Sequence, residues 1–206
     1  MDKKQHWEQI YTTKASDNVS WFQEHAGQSL ALIHNTGLAK SAAIVDVGGG
    51  ASKLVDELTE EGYSDLTVLD LSLAALDVAR QRLGRHAEYI DWMLGDITNV
   101  ELPTNRFDIW HDRAVFHFLT DPADRQAYVE QVMRAVRPDG HVIIATFAED
   151  GPEKCSGLPV VRYNPETLHA TFGDNFTLVH HQKEAHNTPF GTVQQFVYCY
   201  CRKSSI

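Results

Sequence analysis

The chain has 206 residues, enough for one domain with a substantial core and too few for two of full size. Its hydrophobic fraction of 43% and charged fraction of 22% are those of an ordinary soluble globular protein. The formal net charge of -10 argues against nucleic acid as a dominant partner, because phosphate binding needs a basic surface.

Cys155, Cys199 and Cys201 match no zinc spacing and no disulfide framework. The opening "MDKKQHWEQIY" lacks the apolar stretch of a signal peptide, and no run reaches transmembrane length. These features read as a cytoplasmic protein with reduced thiols and no membrane partner. The sequence carries no signal for an oligomeric state.

Residues 1–40 read as a helical cap, with "HWEQIYTT" and "QSLALIHNTG" as helices and "ASDNVSWFQ" between them. "AAIVDVG" (42–48) is a buried strand ending in glycines, and "SKLVDELTEEG" puts Leu54, Val55 and Leu58 on one helical face. "LTVLDLS" (66–72) is a second strand and "LAALDVARQRLG" a second helix. "AEYIDWMLGD" (87–96) and "FDIWHD" are the third and fourth strands. "PADRQAYVEQVMRAVRPDG" is a helix followed by a Pro-Asp-Gly turn, and "HVIIATF" (141–147) a fifth strand. Strands alternating with helices predict a mostly parallel, doubly wound sheet with helices on both faces. Beyond Phe147 come a Gly- and Pro-rich loop, a short helix at "NPETLHATFG", and two strands around "NTPFG" that read as an antiparallel edge pair. The expectation is one domain over 1–206: a cap (1–40), an α/β core (42–147), and a late loop with the antiparallel edge (148–206).

Asp46-Val47-Gly48-Gly49-Gly50-Ala51-Ser52 lies where the first strand meets the following helix, where open α/β sheets bind ligands. Glycines there allow a tight turn and close backbone approach. Twenty residues after Gly50, Asp70 ends the second strand, where a carboxylate can accept hydrogen bonds from both hydroxyls of a ribose. A dinucleotide fingerprint fails because Lys53 occupies its third small position, and the phosphate-binding G-x-x-x-x-G-K-[ST] loop is absent.

The surviving pattern, D-x-G-x-G-x-S, resembles motif I of the class I S-adenosylmethionine-dependent methyltransferases. Further landmarks follow in order: Asp70-Leu71, "GDIT" (95–98), "RFDIWHDRAV" and "VRPDGHVIIATF". The resemblance implies a Rossmann-like seven-stranded sheet with S-adenosyl-L-methionine as cofactor. It places Asp46, Gly48, Gly49 and Gly50 in the cofactor loop, with Asp70 and Leu71 at the ribose. Asp96 would accept from the adenine amine and Ile97 cover the ring. The opening Trp7, Tyr11, Trp21 and Phe22 are similar to a branch holding methyltransferase-like lysine methyltransferases and thiopurine and tellurite methyltransferases. In that branch the segment folds over the cofactor, which places Tyr11 and Trp21 at the cofactor and implies a protein-lysine or small-molecule acceptor. Trp7 and Tyr11, at i and i+4, equally describe a helix face packed on the core.

His111, Asp112 and Arg113 interrupt an apolar stretch at the end of the fourth strand, beside the methyl group in class I geometry. Asp112 is the candidate for orienting a nucleophile or meeting the cofactor, with Arg113 pairing either Asp112 or the cofactor carboxylate. His117 is the candidate acid-base residue. His111 and His117 have no third ligand at metal-binding spacing. Asp108 reads as a structural partner. Cys155, Arg162 and Tyr163 lie in the late loop, a usual place for substrate contacts, and Cys199 and Cys201 share one strand face in the core. "HDRA" stands where base-nitrogen methyltransferases carry Asn/Asp-Pro-Pro-Tyr, which counts against nucleobase and glutamine acceptors. Two competing readings are a nicotinamide-dependent oxidoreductase and a non-catalytic binding module of the same fold.

Overall fold

A strand buried along its whole length must have both sheet faces covered. Ala43–Val47 is such a strand in the computed structural model, which describes residues 3–205. In chain order the elements are α1 (Lys3–Thr13), α2 (Gly27–Asn35), β1 (Ala43–Val47), α3 (Leu54–Glu60), β2 (Asp65–Asp70) and α4 (Leu73–Leu83). They continue with β3 (Ile90–Leu94), β4 (Phe107–Arg113), α5 (Pro122–Ala135), β5 (Val136–Phe147), β6 (Lys154–Cys155) and β7 (Leu158–Pro159). The chain ends with α6 (Pro165–Phe172), β8 (Phe176–Asn187) and β9 (Val193–Lys203).

The main sheet has the order β3-β2-β1-β4-β5-β9-β8. Its first five strands are parallel, and β9 and β8 close the edge antiparallel. This is the expected seven-stranded, Rossmann-like sheet. One core packs α5 and α6 against Trp110, Phe116 and Phe176, and the other packs α2, α3 and α4 against Ile44, Val68 and Ile143. Helix starts carry local signals: Ser72 caps α4 and Asp121 caps α5, while Asn164 and Thr167 form a capping box on α6.

Three boundaries differ from the sequence reading. Gly84–Tyr89 winds into a 3-10 segment, so β3 starts at Ile90 rather than at residue 87. The Pro-Asp-Gly turn is a bulge inside β5: Val136 pairs with Phe107 and His141 with Ile109, and Asp139 takes a φ of 63° between them. The late loop carries the small β6–β7 hairpin.

The N-terminal segment divides between two tasks. α2 packs on a face of the sheet through Leu32 and Ile33, whereas α1 lies across the carboxyl edge and buries no residue. α1 is held by named contacts instead. The Glu8 carboxylate accepts from Ser72 Oγ at 2.8 Å and from the Ala74 amide at 3.2 Å, placing a negative charge at the N-terminus of α4. Lys3 Nζ reaches Asp124 at 2.7 Å, and His6 Nε2 meets Ser156 Oγ at 3.2 Å.

Glu8→Ala is therefore expected to raise amide hydrogen exchange across residues 3–13 by about tenfold, while lowering global stability by no more than about 1 kcal/mol. Exchange mass spectrometry beside urea unfolding checks this, and unchanged exchange over α1 would contradict it.

Candidate active site

The glycine loop is as tight as its sequence implies. Gly48 has a φ of 71°, its amide donates to Leu69 O at 2.7 Å, and a Cβ there would collide with the Val115 side chain. A Cβ on Gly49 would collide with Asp46 Oδ2, and one on Gly50 would lie 2.5 Å from Ala75 Cβ and 2.6 Å from Asp70 Oδ2. The loop thus rests on two carboxylates that only glycine lets it approach.

Asp70 is 6% exposed, with Oδ2 accepting from the Gly50 amide at 3.0 Å and Oδ1 from the Ser72 amide at 2.8 Å. Burial pushes its pKa up to about 6 against these N–H bonds, with the Asp46 charge adding to the rise. Each oxygen keeps a lone pair for a further donor, which suits two ribose hydroxyls. Asp96 Oδ1 is held by the amide and hydroxyl of Thr98 at 2.9 and 2.7 Å.

A cleft of about 810 Å³, counting its open mouth, joins these groups. Its floor includes Gly48, Asp70, Leu71, Asp96 and Ile97, and its roof is the aromatic set Trp7, Tyr11, Trp21 and Phe118. Trp7 packs edge-on against Trp21 and Phe118, with centroids 5.5 and 5.1 Å apart. Trp21 Nε1 donates to Tyr11 Oη at 3.2 Å. Trp7 is a cleft wall, not only a helix face packed on the core. A second chamber of about 580 Å³ adjoins the first, sharing Tyr11, Trp21, Gly48 and Arg113 and adding Ser29, Asp46, Gly49 and His111.

Of the residues expected at the cofactor, Tyr11, Trp21, Gly48, Asp70, Leu71, Asp96, Ile97 and Arg113 border the first chamber. Asp46 and Gly49 border the second, and Gly50 donates its amide to Asp70. The set fits S-adenosylmethionine on an observation internal to the structure. Asp46 Oδ2 is buried without a hydrogen-bond partner among the described residues, a state that costs about 1–3 kcal/mol until a donor such as an ammonium arrives.

Two expectations are corrected by side-chain direction. β4 alternates, so His111 and Arg113 face α2 and the cleft while Trp110 and Asp112 face α5. Asp112 has no exposed surface and borders neither chamber. It accepts from Tyr128 Oη at 2.6 Å and from the amides of Val115 and Phe116 at 2.9 and 3.1 Å. Its task is to pin the turn after β4, where Ala114 takes a φ of 74°. Burial pushes its pKa up to about 7, against the Tyr128 hydroxyl and the Val115 amide.

His117 is likewise enclosed: Nδ1 accepts from the Phe147 amide at 3.2 Å, and the ring lies between Phe118 and Phe147. Burial, aided by the Arg113 charge, pushes its pKa down to about 3, so it stays neutral and out of reach of the cleft. Arg113 does not pair with Asp112. It donates to Tyr198 Oη and Trp21 O, each at 3.1 Å, reaches Glu184 at 3.5 Å, and stacks on Phe196. Of the late-loop candidates Cys155 borders the first chamber, while Arg162 bonds Gly151 O and Glu153 at the surface and Tyr163 packs in the core. Ser29 was not foreseen, although a serine sharing the buried stripe of Leu32 and Ile33 is a readable sign.

A family profile described as a methyltransferase domain matches residues 45–144. The chain is 28% identical over 157 residues to EEF1A lysine methyltransferase 2 of Danio rerio, covering 69% of this chain and 67% of that protein. It is 27% identical over 134 residues to the ubiquinone/menaquinone biosynthesis C-methyltransferase UbiE of Roseobacter denitrificans, covering 64% of this chain and 47% of that one. The match thus spans about half to two thirds of these relatives. Among solved structures, the N-methyltransferase NodS of Bradyrhizobium japonicum with S-adenosylhomocysteine superposes with a TM-score of 0.75 at 17% identity, covering 98% of this chain and 99% of that one.

Asp70 and Asp112 bind protons more tightly folded than unfolded, where a carboxyl titrates near about 4. Their contribution to stability is therefore complete below about pH 4 and is lost as pH rises through about 6 and about 7. Asp112→Asn should remove its share, so the variant gains on the wild type by on the order of 2–4 kcal/mol between pH 4 and pH 8. Urea midpoints across that range check this, and a pH-independent difference would contradict it.

Proposed function

This chain is a class I S-adenosylmethionine-dependent methyltransferase, and we propose that its acceptor is a small molecule whose nucleophilic atom carries a free lone pair at neutral pH. Bound S-adenosylmethionine supplies a methyl group already attached to a good leaving group. The chain's own residues then have three tasks: gripping the nucleoside, excluding water and aligning the acceptor. Asp70 and Asp96 serve the first. Trp7, Tyr11, Trp21 and Phe118 serve the second, and their ring faces attract a cation by roughly 0.5–2 kcal/mol.

One observation carries the choice of acceptor. The ionisable side chains bordering the main chamber, among the described residues, are Lys3, Tyr11, Asp70, Asp96, Arg113 and Cys155, and none is poised as a base. Asp70 and Asp96 are assigned to the cofactor, and Arg113 is a bonded cation. Burial pushes the Cys155 thiol up to about 12 and the Tyr11 hydroxyl well above its ordinary value. A lysine amine, protonated up to about pH 10.4, would have to lose its proton before attack without help from the site. An acceptor that is already neutral or anionic needs only alignment. The roof formed by α1 also favours a compact, largely apolar body over an extended protein segment.

A protein-lysine acceptor is the second reading, favoured by the similarity to EEF1A lysine methyltransferase 2. Incubation of the protein with methyl-labelled S-adenosylmethionine and cell lysate, fractionated by size, separates the two. Label is expected in the low-mass fraction, and label confined to protein would reject the small-molecule acceptor in favour of lysine.

A further inference from the structure

His111 has been given no task so far, yet its surroundings are specific. Asp46 and His111 are register partners on the adjacent strands β1 and β4 and project to the same face. His111 Nδ1 lies 2.7 Å from Asp46 Oδ1, and its Nε2 lies 2.8 Å from Ser29 Oγ on α2. The side chains of His111 and Asp46 are only 3% and 6% exposed. A carboxylate only accepts, so Nδ1 carries the hydrogen, and the Ser29 hydroxyl holds the opposite edge of the ring.

This arrangement has a direction. The imidazole engages Oδ1 and leaves Oδ2 as the unpartnered oxygen, tucked against Gly49 at the point where any Cβ would collide with it. Asp46 is the one acid bordering the second chamber among the described residues, and that chamber opens from the nucleoside cleft past Gly48 and Tyr11. A nucleoside gripped by Asp70 and Asp96 would send a cationic tail toward it.

We infer that His111, backed by Ser29, is a positioning residue that orients Asp46 toward the ammonium at the amino-acid end of the cofactor. The inference rests on the cofactor reading and adds to it a source of selectivity for ligands carrying that end. Without the imidazole, nothing bonded to Oδ1 would fix the carboxylate, and the tail would lose its aligned acceptor while the nucleoside contacts at Asp70 and Asp96 stay intact.

Two ligands isolate the effect. S-adenosylhomocysteine carries the amino-acid end, and 5′-methylthioadenosine has the same nucleoside thioether without it. By titration calorimetry, His111→Leu should weaken S-adenosylhomocysteine by about tenfold or more and change 5′-methylthioadenosine by less than about twofold. His111→Asn, which keeps a donor toward Asp46, should recover most of the loss. Ser29→Ala, a milder change, should weaken S-adenosylhomocysteine alone by about two- to threefold. Equal losses for both ligands across the variants, or no loss for S-adenosylhomocysteine, would overturn the inference. Wild-type protein that binds neither ligand would overturn the cofactor reading as well, which keeps the two failures apart.

Discussion

The carboxyl edge of this sheet depends on burying three carboxylates at the ends of adjacent strands: Asp46 on β1, Asp70 on β2 and Asp112 on β4. A buried charge is tolerated only where donors meet it, and each acid meets different ones. Asp112 takes a tyrosine hydroxyl and two amides of the next turn, so it is consumed by structure. Asp70 takes two amides and still faces the cleft. Asp46 takes one imidazole and leaves an oxygen unpartnered. The degree of satisfaction sorts three similar residues into three tasks.

The aromatic roof follows from what that edge lacks. Strand ends rich in acids would admit water freely if nothing covered them, and α1 supplies the cover without being part of the core. It turns Trp7 and Tyr11 toward the cleft, large rings that exclude water and tolerate a cation, and it is fastened by ionic and hydrogen-bonded contacts of Lys3 and Glu8. Arg113 adds a fixed post beneath the roof, because its bond to Trp21 O ties the segment after α1 to β8 and β9 through Glu184 and Tyr198. His186 and Gln23 strengthen the same seam by binding Ser20 O and Glu184.

Much of this was legible before any coordinates. The mostly parallel sheet and the glycine loop follow from the alternation of apolar runs with helices and from Asp46 to Gly50, because close approach to carboxylates requires glycine there. Side-chain direction on β4 was not legible. Ile109 and Trp110 are both fully buried, so apolar residues on both faces erase the polar alternation that would mark which side holds the ligand. Period two says that His111 and Arg113 share a face and Asp112 does not, but it does not say which face is the cleft. Trp7 was ambiguous for a related reason, since i and i+4 aromatics look alike on a core helix and on a roof. The β5 bulge was hidden because a Pro-Asp-Gly sequence reads as a turn between elements, while here it is an excursion inside one strand.

Ser72 shows how closely roof and floor are joined. Its amide donates to Asp70 Oδ1, its hydroxyl donates to Glu8 of α1, and the same oxygen caps α4 by accepting from the Ala75 amide. A ligand that engages Asp70 therefore acts on a carboxylate one hydrogen bond from Ser72, and a roof that lifts must release the same residue. The coupling needs no large motion. A buried, fully bonded hydroxyl cannot lose the Glu8 acceptor without seeking another, so roof position and the electrostatics of Asp70 are set by one small network. A covering helix with no buried residues can thereby be held closed chiefly where the nucleoside would sit, rather than by a core of its own.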